Sequence, residues 1–565
     1  MRADAFVFLL GCLVLLFAND VLAQAAIDPG RVQKQFEVPV VPHAAPEIVI
    51  PEIPKTIAPA EAANVKVTLT QIIIDGATVY PEDSLQGMTN SLIGHEITLT
   101  EIFTLADAIT SRYRNDDYIL SRAVVPAQKL ENGVLHIQVI EGFIDKVIFD
   151  GQSTVLLEQY GNHISKDRPL RGSVLERYLL LMNDLPGRTV RAVMEPSKDS
   201  VGGSDLTLVV KQKSIDAYAG IDNRGTRYIG PVQASAGVSV NNMLRHDDKT
   251  SINYATVSHT RELRYVNVKE EIPLGNDGFL LAVNAGQSFS RPGFLLEQLN
   301  AKTAGAMFGA KLSYPVNRSR ADTLKVSAAF DYLNSETTLN NEPDIPPSST
   351  DRIRALRVGL IYDWADSFYG HNILESYVSQ GLGILNASDN LSATLSRPGG
   401  RVDFKKWTMD VSRRQELDRW ISNLGLYLAA SAQSSLGNTL LSSEQFGAGG
   451  ATYGRGYDPS EITGDSGISS KAEVQYSSNS NGFVRAWQIY GFYDFAHVRN
   501  RQPDNLEKYS YSLASLGGGA RFDMLDALSG DFTVAQPLTR DITAEKLDGN
   551  DGKPLRLQLS LTARY

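Results

Sequence analysis

One arginine sits where the unusual residues of this chain are concentrated. Arg455 lies between Gly454 and Gly456, with Tyr457 beside them, in a glycine-rich stretch, 444–467, that presents no continuous hydrophobic face. A segment of that length without helix or strand periodicity is a functional loop or a disordered one. Its glycines permit a tight, inserted path. A guanidinium entering a partly desolvated interior needs a planar acceptor, and a carboxylate offers two oxygens at the right spacing. Alternation downstream puts three carboxylates on inward faces: Glu473 with Ser469, Lys471 and Gln475; Asp494 with Tyr490 and Phe492; Asp523 with Gly517, Gly519 and Arg521. The pattern predicts that Arg455 pairs with one of the three. The alternative is four solvated charges lining a channel.

Other chemistries find little support. Gly464-Asp465-Ser466-Gly467 spells the turn around a serine-protease nucleophile, but the eight histidines are scattered and a turn entering the next strand accounts for it. His95-Glu96 lacks the second histidine of a zinc-binding helix, and neither a G-x-S-x-G elbow nor a phosphate-binding loop is present. The single cysteine, Cys12, lies inside an apolar leader, so the mature chain has no disulfide and no thiolate ligand. No catalytic residue, metal or cofactor is expected, and the chain reads as a non-enzyme. A net charge of −10 without a basic run argues against a nucleic-acid partner.

The elements that must position Arg455 follow from the chain in order. Residues 1–23 read as a signal peptide: Arg2, an apolar run over 6–17, then Val21-Leu22-Ala23. Residues 24–38 form a candidate plug helix, and 39–65 a linker stiffened by Pro39, Pro42, Pro46, Pro51, Pro54 and Pro59. The span 66–142 predicts a βααββ unit, with strands at 67–74, 118–125 and 134–140 and helices at 84–93 and 99–115. The order recurs over 143–213, and Asp75-Gly76 and Asp150-Gly151 fall at matching positions, so the unit is duplicated.

From 214 to 565 helical periodicity gives way to alternation. The last strand is the cleanest, with Leu555, Leu557, Leu559, Leu561, Ala563 and Tyr565 on one face and Arg556, Gln558, Ser560, Thr562 and Arg564 on the other. About sixteen strands fit, joined alternately by short and long connections, as in an antiparallel transmembrane β-barrel with leucines toward lipid and arginines in a wet lumen. No stretch has the ~18 apolar residues of a membrane helix. Counted from the periplasmic units, the arginine lies in the sixth external loop, at about 438–467.

These features together resemble the TpsB transporters of two-partner secretion, the hemolysin secretion/activation (ShlB/FhaC/HecB-type) family of the POTRA-barrel superfamily. Gly454-Arg455-Gly456-Tyr457 looks like the family's V-R-G-Y/F loop-six tip, with Gly454 in place of valine, a change that predicts a looser tip. Phe492-Tyr493-Asp494 is similar to its F-x-D motif on strand thirteen, and that resemblance selects Asp494, with Phe492, over Glu473 and Asp523. Ser121, Arg122, Ala123, Pro126, Gln128, Glu141 and Gly142 match the signature of the ShlB-type first POTRA domain, and Asp222-Asn223-Arg224-Gly225-Thr226 the junction with the barrel.

The resemblance implies two periplasmic POTRA domains and a sixteen-stranded barrel in the bacterial outer membrane. It also implies export, without ATP, of an unfolded TpsA-like partner exoprotein, an adhesin or a cytolysin, captured through its N-terminal secretion domain. Leu561 and Tyr565 read as the C-terminal barrel signal, and the barrel-assembly machinery and outer-membrane lipid as partners during biogenesis. The rival readings are a barrel-assembly factor of the same superfamily and a plain diffusion or uptake channel.

Overall fold

The computed structural model describes residues 48–49, 62–244, 247–339, 348–501, 509–525, 527–539 and 554–565. The expected signal peptide and plug helix lie outside these residues, as does most of the linker. Its one described strand, β1 (Ile48–Val49), runs parallel to a later strand of the second βααββ unit.

The first unit comprises β2 (Lys66–Thr68), β3 (Gln71–Asp75), α1 (Glu82–Thr89), β4 (Glu96–Thr98), α2 (Leu99–Asn115), β5 (Arg122–Val124) and β6 (Val134–Ile140). Helix α2 begins with a reciprocal capping box between Thr98 and Glu101. It buries Ile102, Leu105, Ala106, Ile109 and Tyr113, one helical face, against Leu69, Leu135 and Ile137. The sheet order is β3-β6-β5. The strand expected at 118–125 starts only at Arg122. Asp117 adopts φ 77° and residues 118–121 turn, Tyr118 N–H donating to Tyr113 O and Ser121 N–H to Tyr118 O.

The second unit repeats the plan: β7 (Phe143–Asp150), α3 (Val155–Lys166), α4 (Gly172–Asp184), β8 (Arg188–Pro196) and β9 (Gly203–Gln212). Its sheet order is β1-β8-β9-β7, so the linker strand occupies the β8 edge, Ile48 opposite Ala192 and Val49 opposite Val193.

Sixteen antiparallel strands then close a barrel. The first eight are β10 (Ile215–Asp222), β11 (Gln233–Asn241), β12 (Lys249–Val257), β13 (Leu263–Leu274), β14 (Phe279–Ser290), β15 (Lys302–Arg318), β16 (Asp322–Thr338) and β17 (Ser349–Ala365). Then come β18 (Gly370–Gly381), β19 (Lys405–Glu416) and β20 (Leu424–Ser434). Two short strands, β21 (Phe446–Ala448) and β22 (Ile462–Gly464), pair with each other and are not part of the barrel wall. The wall resumes with β23 (Ser466–Asn479), β24 (Val484–Arg499), β25 (Ser510–Met524), β26 (Leu528–Pro537) and β27 (Arg556–Arg564), which returns to β10. Leu557 and Leu559 are exposed outward while Gln558 between them is buried, the phase a lipid-facing barrel requires.

The second unit is seated on the periplasmic turns by arginine–carboxylate pairs. Arg188 meets Asp247 at 2.6 Å with both side chains buried, and Asp247 also accepts from the Thr154 hydroxyl. Arg318 donates bidentately to Asp184, both bonds 2.8 Å, and Arg177 reaches Asp277. Burial works to raise the Asp277 carboxyl, but hydrogen bonds from Tyr314 and Arg177 hold it below the usual range.

Candidate functional site: loop six in the barrel lumen

Residues 435–465 fold back into the barrel. The stretch does have a hydrophobic face, contrary to its sequence pattern: Phe446, Ala448, Tyr457 and Ile462 bury against Ala496, Val498 and Leu513 of the wall. Alternation counting misses such a face because its members are separated by glycine turns and meet only through the β21–β22 hairpin. Tyr457 also fixes the tip through its hydroxyl, which donates to Ala514 O at 2.9 Å and accepts from Thr539 N–H at 2.9 Å.

Arg455 is 3% exposed. Its Nε donates to Asp494 Oδ2 at 2.9 Å and its Nη2 to Oδ1 at 2.6 Å, a fork-on-fork contact. The backbone N–H groups of Gly454 and Arg455 add bonds to Oδ2 at 3.2 and 3.0 Å. The third guanidinium nitrogen donates to Glu473 Oε1 at 2.6 Å. Arg455 therefore does not choose between Asp494 and Glu473; it holds both. The guanidinium lies 3.5 Å from the centre of the Phe492 ring, a cation–π stack that the fork leaves free. Phe492 faces Gly517 on β25, where a Cβ would come within 2.7 Å of the ring.

Asp523 does not join the cluster. It is exposed at the far end of β25, past Arg521. Its expected place in the network is taken by Arg521 and Asp531. Arg521 donates to Glu473 at 3.1 Å and to Asp531 at 3.0 Å, and stacks 3.9 Å over Tyr490. The site thus alternates charge: Asp494, Arg455, Glu473, Arg521, Asp531. Each buried charge touches one of opposite sign, the condition under which a desolvated cluster is tolerated.

Gly454, where the family pattern has valine, does not read as a loose tip. Its φ of +93° is accessible to glycine and strained for a β-branched residue, and an added Cβ would sit 2.7 Å from Leu513.

Three further anchors of loop six escaped the sequence reading. Glu444 accepts from Arg357 at 2.8 Å and pairs with buried Lys406. Asp465 pairs with Arg397 at 2.6 Å and accepts Leu440 N–H. Asp458 pairs with Arg227 and Arg556. Asp465 belongs to the protease-like tetrapeptide, where it is the single residue linking the end of β22 to the start of β23. The signal available for all three was a carboxylate inside a loop otherwise poor in charge.

The POTRA-like signature has a different geometry. Ser121 and Ala123 are buried, and the Ser121 hydroxyl accepts Gly142 N–H at 3.1 Å. Gln128 continues the β5 edge with its side chain, donating to His136 O at 2.6 Å and accepting His136 N–H at 2.9 Å. Glu141 accepts from Thr78 N–H, Val79 N–H and the Tyr113 hydroxyl at 2.7, 3.0 and 2.8 Å. Arg122 and Pro126 are half-buried on the same unit. Leu561 and Tyr565 lie at the closing seam, where Leu561 faces Ile221 and Tyr565 exchanges backbone bonds with Ala217.

Comparison with known proteins agrees with this architecture. Residues 202–522 match the family described as haemolysin secretion/activation protein ShlB/FhaC/HecB, and residues 67–142 match the ShlB-type POTRA domain. The heme/hemopexin transporter protein HuxB of Haemophilus influenzae strain 86-028NP is 21% identical, over 93% of this chain and 94% of the relative. The outer membrane transporter CdiB of Dickeya dadantii is 23% identical over 80% of this chain and 79% of its own. The solved structure of CdiB from Escherichia coli superposes with a TM-score of 0.72, covering 91% of this chain and 94% of that one at 20% identity. Fold and lumen site define an outer-membrane β-barrel transporter with periplasmic POTRA domains. The chain belongs to the ShlB/FhaC/HecB family, the transporters of two-partner secretion.

Proposed function

We propose that the Arg455 cluster is the lock that sets the position of loop six while a partner exoprotein passes through the lumen. The observation that carries this reading is the asymmetry of the pore. Loop six is clamped to β23, β24 and β25, leaving a cavity of about 990 Å³ along the opposite wall, lined among others by Lys311, Tyr377, Glu375 and Asp410. A folded domain does not fit such a space, whereas an extended chain does. The partner, a TpsA-like adhesin or cytolysin, is captured in the periplasm by the POTRA pair through its N-terminal secretion domain. A sheet edge there gives affinity through main-chain hydrogen bonds without strict sequence demand. The exported chain then threads the lumen unfolded and folds outside, and that folding opposes its return, so no ATP and no catalytic residue of the transporter enter the cycle. Within this scheme 66–142 and 143–213 act as the two POTRA domains and 214–565 as the pore.

Replacing Arg455 by alanine tests the lock. The partner is expected to be absent from, or strongly reduced in, the culture supernatant while the barrel still inserts and keeps its compact, heat-modifiable form. Full secretion by that variant would remove the role assigned to Arg455.

A further inference from the structure

The barrel closes over its shortest ladder. Strands β10 and β27 share five residue pairs, from Tyr218–Arg564 to Asp222–Ser560. The other neighbouring barrel strands share eight to sixteen. Beyond these pairs the backbone adds only the Ala217–Tyr565 exchange at one end and Asn223 N–H to Leu559 O, 3.1 Å, at the other, where side chains then extend the seam. Asn223 Nδ2 donates to Leu557 O at 3.0 Å, and its Oδ1 accepts Leu559 N–H at 2.7 Å, as a strand neighbour would. Arg556 Nη2 reaches Gly225 O at 3.3 Å.

Over this bridge sits Asp458, 6% exposed, which belongs to neither strand but to loop six, three residues after Arg455. One oxygen accepts from both the backbone N–H and the Nε of Arg227 at 3.0 Å; the other accepts from Nη1 of Arg556. Arg227 follows β10 and Arg556 opens β27. A single carboxylate therefore grips guanidinium groups from the two sides of the seam. Its loss breaks the contacts to both sides at once, at the shortest ladder of the wall. Gln558 of β27 adds a second tie, donating to Arg455 O at 3.0 Å.

We propose that Asp458 is a positioning residue that staples the closing seam of the barrel to the seat of loop six, so that loop six cannot leave that seat without loosening the seam. The inference rests on the loop-six reading only in taking loop six as the part that moves. Hydrogen–deuterium exchange of the purified full-length protein tests it. Asp458→Asn is expected to speed exchange over 215–225 and 556–564 about tenfold while β15, β16 and β17 keep wild-type rates. Arg556→Gln, which removes the β27 partner of Asp458, speeds exchange over the same two segments, and the double variant Asp458→Asn/Arg556→Gln falls short of the sum of the two single effects because both act through one contact. Unchanged seam exchange, or a rise spread evenly around the barrel, overturns the proposal, as do single-variant effects that add in full in the double variant.

If Asp458→Asn does not assemble, a disulfide from Gly220→Cys and Thr562→Cys supplies the missing tie. These residues face each other across the seam, and a Cβ on Gly220 would lie 3.3 Å from Thr562 Oγ1. Assembly restored by the cross-link supports the staple; assembly that stays lost under the oxidised cross-link counts against it. An Arg455→Ala protein that fails to secrete yet keeps wild-type seam exchange overturns the coupling and leaves the lock reading standing.

Discussion

The loop-six tip and the POTRA signature each centre on a buried or half-buried carboxylate, and the two carboxylates are satisfied in opposite ways. Asp494 is held by a guanidinium and two backbone amides delivered by a separate loop. Glu141 is held by neutral donors alone, two backbone amides, a tyrosine and the Thr78 hydroxyl, all from its own domain. A charge pair makes a joint whose two halves are each costly to leave alone, so it resists partial opening: removing one partner of a buried pair costs about 3–5 kcal/mol. A carboxylate ringed by neutral donors carries no second buried charge to strand, and it suits a domain that keeps its internal shape. The first plan fits a part that must be either seated or released. The second fits a rigid arm.

Substitutions can break that contrast. Arg455→Ala should have the largest effect, a loss of secretion of more than tenfold. Arg455→Lys should recover little of it, because an ammonium keeps the charge but not the fork on Asp494 or the stack on Phe492. Immunoblotting the partner in the supernatant reads both, and a lysine variant at wild-type level would show that charge alone suffices.

Next in size, Asp494→Asn should harm secretion more than Glu473→Gln. Asp494 takes four hydrogen bonds from loop six, whereas Glu473 takes one from Arg455 and is otherwise engaged by Arg521 and Gln475. Equal damage from the two would mean that the lock is a diffuse charge cluster.

In the rigid arm, Tyr113→Phe removes one neutral donor to a charged acceptor and should cost about 1.5–3 kcal/mol of POTRA stability, seen as faster amide exchange at Thr78 and Val79, with secretion largely kept. Asp117→Ala should cost about 1 kcal/mol, the worth of a helix cap. Asp117 of the first domain accepts Ser173 N–H at 3.1 and 3.0 Å at the start of α4 in the second, a helix whose own N-cap residue makes no side-chain bond. Exchange in the first turn of α4 reads that loss.

The smallest effect is on pH. Burial works to raise the Glu141 carboxyl, but hydrogen bonds from Thr78, Tyr113 and Val79 hold it below its ordinary value. A depressed folded value means that the stabilisation is complete above the unfolded value, near ~4.3, and is lost as pH falls through the folded one. Protection at Thr78 and Val79, taken relative to the intrinsic exchange rate at each pH, should therefore be flat from pH 8 to 5 and fall only in more acidic buffer. Protection lost already at pH 6 would contradict the assignment.

Much of the wall was legible because its signal has period two. In β27 the alternation of leucine with Arg556, Gln558 and Ser560 names the lipid and lumen faces before any contact is known. The same phase put Glu473 and Asp494 on inward faces. It failed for Asp523, because phase reports the face of a strand and not the depth along it. It was equally blind to Asp458, Glu444 and Asp465, whose partners Arg227, Arg357 and Arg397 come from distant strands and loops.

The sequence alone indicated the two βααββ units, the strand count, the facing of strands such as β27 and the arginine at the centre of loop six, because each of these depends on local periodicity or on neighbours within a few residues. The tertiary structure decided the rest. Barrel closure sets which inward carboxylates stand at the same height as the loop tip, so Arg455 could take both Asp494 and Glu473 while Asp523 was left out. It also brought Arg227 and Arg556, near opposite ends of the barrel sequence, to one aspartate. Chain closure is a long-range event, and no local pattern carries its register.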